Sequence, residues 1–298
     1  MTRILCIGEA MVELSAEGDL WRLGIAGDTL NTAWYLRRLL GPLHRVGYLS
    51  RVGTGEFSRH ARRFMEEAGI DTTHLAEDPA REIGLYAITL TEGERSFSYW
   101  RDTSAAKRLA DDPGLLAAAL ADCDLAYLSG ITLAILPQAG REALLAALAA
   151  AQDAGCTIVF DPNLRPRLWP GTDVMCSEIM RMAALADLVL PSFDDEAVHF
   201  GDADAAATIA RYLGAGAGHV VVKNGGGPVA FGGRDGDGVV DALPRDRPVD
   251  STAAGDSFNA GYIAARLDGQ APVDAIRAAH SLSRRVIAHR GALVPDAV

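Results

Sequence analysis

Short apolar runs alternating with helical segments predict an α/β fold, a three-layer α/β/α sandwich on a mostly parallel central sheet. One hairpin that breaks the alternation predicts a small second β-sheet beside it. The runs at 4–7, 125–128, 157–160, 188–190 and 220–222, such as Ile4-Leu5-Cys6-Ile7 and Val220-Val221-Val222, show no polar alternation and so suit strands covered on both faces. Segments 29–40, 57–68, 137–154 and 204–213 have helical length and apolar spacing and separate most of those strands. In such sheets ligands bind beyond the carboxyl ends of the strands. Residues 83–90 and 95–100 flank Thr91-Glu92-Gly93-Glu94 with no helix between them, the pattern of a hairpin. Residues 11–14 and 21–23 are candidate partners for it. The expected organisation is one domain over 1–298, with a β lid formed mainly from about 11–23 and 83–101. Gly225-Gly226-Gly227 and Gly232-Gly233 read as turns between late strands, and there is no repeat or linker composition.

Composition narrows the class. The chain has 298 residues, 49% of them hydrophobic, enough for a sizeable core. A formal charge of −11 speaks against nucleic acid and anionic membranes as partners, and requires any anionic substrate to be met by locally placed arginines. The cysteines Cys6, Cys123, Cys156 and Cys176 are scattered, and Met1-Thr2-Arg3 leads straight into an apolar strand, so a cytoplasmic enzyme is expected. The seven histidines have no metal-binding spacing, and no direct metal ligand is assigned. There is no G-x-x-x-x-G-K-[ST] loop, no G-x-S-x-G elbow and no protein-kinase H-R-D or D-F-G set. Gly214-Ala215-Gly216-Ala217-Gly218 follows a helix and precedes a strand, the wrong order for a dinucleotide fingerprint.

The stretch Asp250-Ser251-Thr252-Ala253-Ala254-Gly255-Asp256 joins a small-residue turn to a helix start and puts an acid at the junction. Unpaired N–H groups of a first helical turn bind phosphate, and Ala253, Ala254 and Gly255 leave room for it. Asp256 would repel that ligand unless it takes a proton from an incoming hydroxyl; taken alone, the same residue could be an ordinary N-cap.

This stretch resembles the D-T-x-G-A-G-D signature of the ribokinase-like (PfkB) carbohydrate kinases, and Gly27-Asp28-Thr29-Leu30-Asn31 resembles that family's sugar-binding G-G-x-x-x-N element. The match runs over nearly the whole chain. It is nearest to the family's bacterial 2-keto-3-deoxygluconate kinase branch through Ile7-Gly8-Glu9, Gly93-Glu94-Arg95, Tyr99-Trp100-Arg101, Leu128-Ser129-Gly130-Ile131 and the run from Asp161-Pro162-Asn163 to Trp169. Ala253 stands where the commoner signature has Gly. Ser192-Phe193-Asp194-Asp195, followed by Glu196, replaces the family's N-x-x-E, so Asp195 or Glu196 is the acid that could order water around magnesium.

The resemblance implies ATP-dependent phosphorylation of a sugar acid at its terminal hydroxyl, with a ribokinase-like fold, Mg2+ and a monovalent cation such as K+ framed by Ser251, Thr252 and Arg290-Gly291-Ala292. Another sugar acid, fructose or a nucleoside as acceptor, and a non-catalytic sensor, are the alternatives. Asp256 becomes the base, with the amides of Ala253, Ala254, Gly255 and Asp256 around the phosphoryl group. Gly27, Asp28 and Asn31 are placed on the sugar, although Asp28 could equally cap the helix behind it. Tyr99 and Arg101 share one face of a strand, and Arg101 is either a carboxylate clamp or a solubilising residue. Tyr86 is a substrate contact or core packing. Asn163 and Arg165 follow a strand and face the phosphoryl path, with Arg167 a weaker candidate. Lys223, Gly225 and Gly227 are assigned to the nucleotide, residues 279–283 flank the adenine, and the lid is a possible surface for a homo-oligomer.

Overall fold

The computed structural model describes residues 2–91, 94–241 and 243–298, with only the backbone of Leu90, Thr91, Glu94 and Arg95. The chain begins with β1 (Thr2–Ile7), β2 (Met11–Glu17), β3 (Leu20–Ala26), α1 (Asp28–Leu39), β4 (His44–Val52), α2 (Glu56–Glu67) and β5 (Leu75–Glu77), then forms the hairpin of β6 (Gly84–Thr91) and β7 (Glu94–Trp100). Alternation resumes with α3 (Pro113–Leu120), β8 (Leu125–Ser129), α4 (Gly130–Ile135), α5 (Gln138–Asp153), β9 (Thr157–Asp161), α6 (Thr172–Ala183), β10 (Leu188–Val189), α7 (Phe193–Phe200), α8 (Ala205–Ala215) and β11 (His219–Val222). The chain ends with β12 (Val229–Gly233), β13 (Gly238–Val240), α9 (Ala254–Leu267) and α10 (Pro272–Ile287).

Nine strands form one sheet in the order β13-β12-β11-β10-β9-β8-β1-β4-β5. Every pairing from β11 to β5 is parallel, and at one edge β12 pairs antiparallel with both β11 and β13. The strand period of two divides the core between the faces. Ile4, Cys6, Tyr127, Val159 and Val221 pack with side chains of α1, α2, α9 and α10. Leu5, Ile7, Leu128, Phe160 and Val222 pack with α3, α5, α6 and α8 on the other side. Fully apolar strands are stable here because neither face meets water. No helix among the described residues is long and apolar enough to cross a membrane.

The predicted hairpin forms, although Glu92 and Gly93, the latter part of the Gly93-Glu94-Arg95 motif, lie outside the described residues. It belongs to a four-stranded sheet ordered β3-β2-β6-β7, in which β2 pairs parallel with β6 and antiparallel with β3. Register assigns the two faces. Glu13, Tyr86 and Tyr99 lie in one row; Trp100, Leu85, Val12 and Ile25 lie in the other, with Leu23 and Trp21 farther along β3 on that same face.

Candidate active site

Two cavities meet at the carboxyl ends of the central strands. The first, about 350 Å³, lies between the turn after β11 and the starts of α9 and the middle of α10, against Gly225, Val229, Phe258, His280 and Ser283. The second, about 660 Å³, lies between the strand ends and the small sheet, and is bordered by Asp28, Asn31, Tyr86, Tyr99, Arg101 and Asp256. Lys223, Ala254 and Gly255 line both, so the cavities share one wall at the start of α9. Past Tyr99 and Arg165 the second opens into a further space of about 800 Å³ beside Arg167.

That wall is the predicted anion loop. Ala253 adopts the left-handed conformation (φ 58°, ψ 18°) immediately before α9. Asn163 is the other non-glycine residue with positive φ (36°) among the described residues, and both line the second cavity. Strain of this kind gathers where a structure holds a functional geometry. The Ala254 N–H donates to Ser251 O at 3.2 Å, so one of the four predicted phosphate donors is spent within the turn. The N–H groups of Ala253, Gly255 and Asp256 have no acceptor among the described residues, as the opening of a helix leaves them. A Cβ on Gly255 would come only 3.7 Å from Lys223 Nζ, which places an ammonium beside those amides.

Asp256 is half-buried on the floor of the second cavity and accepts from Asn31 Nδ2 at 2.8 Å. Burial, with Asp28 and Asp161 nearby, raises its pKa to about 8 against the opposing pull of the Asn31 hydrogen bond and Lys223. A carboxylate so raised accepts protons far better than an ordinary aspartate. Behind it Lys223 is paired with Asp161 at 3.0 Å and donates to Asn259 Oδ1 at 3.0 Å, while Asn259 Nδ2 donates to Asp161 at 2.6 Å and to the Tyr127 hydroxyl at 3.0 Å. All three polar residues of this ring are buried.

The substrate residues come together with amended contacts. Asp28 is the first residue of α1, which Gly27 caps without a side-chain bond; the capping alternative for Asp28 is therefore wrong. Its carboxylate instead accepts from Asn163 Nδ2 at 2.8 Å, so the amide assigned to the nucleotide is turned toward the other cavity. Gly27 has a reason of its own: a Cβ there would lie 2.3 Å from the Glu9 carbonyl oxygen. Asn31 Oδ1 is buried without a partner among the described residues. The Tyr86 hydroxyl donates to Glu13, and its ring clusters with those of Phe97 and Tyr99, centroids 6.5 and 5.9 Å away. Arg101 is only 11% exposed and bonds to buried Glu9, which rules out a solubilising role, and its Nε is buried without a partner among the described residues. Arg165 is half exposed, 3.7 Å from Asp195.

Two further expectations fail. Gly227 does not line the nucleotide-side cavity; it folds back on Asn224, whose amide nitrogen would lie 2.7 Å from a Cβ at Gly227, while Gly225 and Gly226 form the wall. Glu196 is no candidate for a metal, because it is fully buried against Arg211 (2.7 Å) and the Tyr212 hydroxyl (3.0 Å), away from both cavities. Asp195 does line the second cavity, and burial raises its pKa. Among the described residues no three His, Cys, Asp or Glu side chains are grouped to hold a metal. Sequence reasoning missed the supporting roles of Asp161, Asn259, Glu9 and Glu13. Asn259 was within reach, since it lies three residues after Asp256 on the same helical side.

The sequence pattern of the pfkB family carbohydrate kinases matches residues 1–297. The chain belongs to this family. It is 38% identical over 301 residues to a 2-dehydro-3-deoxygluconokinase of Escherichia coli (strain K12), covering 98% of this chain and 97% of that one. Among solved structures, a PfkB protein from Polaromonas sp. JS666 superposes with a TM-score of 0.83 at 29% identity, over 96% of each chain. A fructokinase from Xylella fastidiosa with bound ATP gives 0.82 at 25% identity, over 97% of this chain and 93% of that one. The fold of this pfkB kinase is thus ribokinase-like, and the chain is a sugar kinase with ATP and a sugar-type acceptor as its small-molecule partners.

Proposed function

We propose that this kinase transfers the γ-phosphoryl group of ATP to the terminal hydroxyl of 2-keto-3-deoxy-D-gluconate, the 2-dehydro-3-deoxygluconate of its relative's name, giving 2-keto-3-deoxy-6-phosphogluconate and ADP. The observation that carries the choice of a sugar acid is Arg101, which lines the same cavity as Asp256 and whose Nε is buried without a partner among the described residues. A guanidinium with an unpaired donor at the wall of a cavity favours an anion there, and a neutral sugar supplies none. Tyr99 and Tyr86 form an aromatic wall for the sugar chain, and Asn31 Oδ1 is an acceptor awaiting a hydroxyl.

Asp256 takes the proton of the attacking hydroxyl. The amides of Ala253, Gly255 and Asp256, with Lys223 beside them, meet the charge on the migrating group, and Arg165 supports it from the opposite side. The first cavity holds the nucleotide: apolar Val229, Phe258 and Ile287 suit a base, and His280 and Ser283 fall within the predicted adenine segment. Asp195 is the carboxylate to hold hydrated magnesium, which needs few protein ligands and supplies charge neutralisation on the phosphates. The small sheet acts as a lid on a single domain. Its outer face exposes Trp21 (50%) and Trp100 (62%), which supports a homo-oligomer formed through it, and four free cysteines fit a cytoplasmic location. The Asp250 carboxylate accepts from Thr252 and from the Gly291 N–H at 2.7 Å, drawing together the two segments for a K+ site; equal rates in potassium and in a large organic cation would remove that site.

A coupled assay of ADP release with 2-keto-3-deoxygluconate, 2-keto-3-deoxygalactonate and fructose tests the acceptor. The gluconate-derived acid should give the highest kcat/KM; fructose above both acids would overturn the proposal. Arg101→Ala should lower kcat/KM for the acid by about a hundredfold and leave fructose unchanged.

A further inference from the structure

We infer that Glu9 is a positioning residue for Arg101, and that it sets how strongly the enzyme prefers an acidic acceptor. The inference rests on the proposed role of Arg101 and adds to it a residue that does not touch the acceptor. Glu9 follows β1 at the base of the small sheet, and its side chain is 1% exposed. One carboxylate oxygen accepts from an Arg101 terminal nitrogen and the other from the Ser104 hydroxyl, both donors lying just past the end of β7. At the start of β6, a Cβ on Gly84 would be 2.9 Å from the Ser104-bonded oxygen of Glu9 and 3.4 Å from Arg101 Cβ. The Glu9 carbonyl closes off any side chain at Gly27, the residue that leads into α1. One buried acid therefore joins the entry and exit of the small sheet to the sugar loop.

The geometry defines what Glu9 does for the guanidinium. Arg101 cannot swing freely, because one terminal nitrogen is fixed to Glu9, and the residue is held in the wall of the acceptor cavity with its buried Nε unpartnered among the described residues. Glu9 also balances a cation that would otherwise be buried alone. Its own carboxyl, raised by burial and pulled back by Arg101 and then by Ser104, is tied to the same two donors. Asp28 and Asp256 border the cavity as well, so an arginine free to turn would have acids other than the substrate to pair with.

Three variants test this, using KM and kcat for 2-keto-3-deoxygluconate and for fructose, melting temperature and ATP affinity. Glu9→Ala should raise KM for the acid about tenfold or more, with kcat, fructose KM and ATP affinity within about twofold of wild type. Glu9→Gln keeps an acceptor for Arg101 and should recover most of that loss. Ser104→Ala removes one anchor and should raise acid KM about threefold with fructose KM unchanged, a result readable even where Glu9→Ala does not fold. Equal rises in KM for acid and fructose, or no rise in Ser104→Ala and Glu9→Ala together, would overturn the role of Glu9. Arg101→Ala separates the two layers. If it leaves acid preference unchanged, the clamp itself fails; if it abolishes the preference while Glu9→Ala does not shift it, only the positioning role fails.

Discussion

The two cavities that meet at Gly255 are made of different materials. On the nucleotide side the wall is largely apolar, with Val229, Pro244, Pro248, Phe258 and Ile287 around a glycine turn. On the acceptor side it carries Glu9, Asp28, Asp161, Asp195 and Asp256 against Arg101, Arg165 and Lys223. A chain of net charge −11 thus places five acids around a cavity proposed for an anion. The difference shows how the field is managed: Asp161 is held by Lys223, Glu9 by Arg101, Asp28 by the Asn163 amide, and Asp256 by a pKa raised toward neutrality. Shape serves one side, and pairwise neutralisation serves the other.

Asp256→Asn should break the comparison most sharply. It removes the proton acceptor while preserving size, so kcat should fall by about a thousandfold or more, with ATP affinity, measured by titration calorimetry, nearly unchanged. Loss of ATP binding in step with kcat would instead assign Asp256 to the nucleotide side.

Lys223→Met tests the shared wall. It leaves Asp161 buried without its cation and should cost about 3 kcal/mol in urea unfolding, and Asp161→Asn in the same chain should restore part of it. Additive losses from the two changes would show that the ring does not act as a unit.

How much of this was legible in the sequence follows from the range of the interactions. The alternation of strands and helices is set by apolar runs and helical periodicity, and the anion loop by residues adjacent in sequence, so both could be read directly, whereas the strand order could not. Asn31 meets Asp256 across 225 residues, and Arg101 meets Glu9 across 92; such contacts exist only once two sheets and a helix are assembled. The misassigned Gly227 and Glu196 have a similar origin. Each has a side-chain or turn identity that fits a ligand site, but local geometry turns Gly227 onto Asn224 and burial turns Glu196 onto Arg211.

The acid–base contrast also has a pH signature. With Asp256 at about 8 in the free protein, kcat/KM should climb through neutral pH and level off above about 8. Stability moves the opposite way: a carboxyl whose folded pKa is above its unfolded value binds more protons when folded, so its contribution is lost as pH rises from about 4 through 8. Asp256→Asn should therefore be more stable than wild type at pH 9 by about 2–4 kcal/mol and nearly equal at pH 4. A flat difference between those pH values would mean that Asp256 titrates as an ordinary acid.

Ala253→Gly should give the smallest effect and the finest test of the boundary. Ala in the left-handed region carries a cost of about 1 kcal/mol or more, but Gly adds disorder to the unfolded chain, about 0.4–1 kcal/mol. The net gain expected from urea unfolding is about 0.5 kcal/mol. Ala253 lines the acceptor cavity and not the nucleotide cavity, whereas Ala254 and Gly255 line both. The substitution should consequently shift acceptor KM by less than about threefold and leave ATP KM where it was. A change confined to ATP would move the dividing line one residue toward the acceptor, and a loss of stability would mean that the methyl packs against its surroundings more than the strained backbone costs.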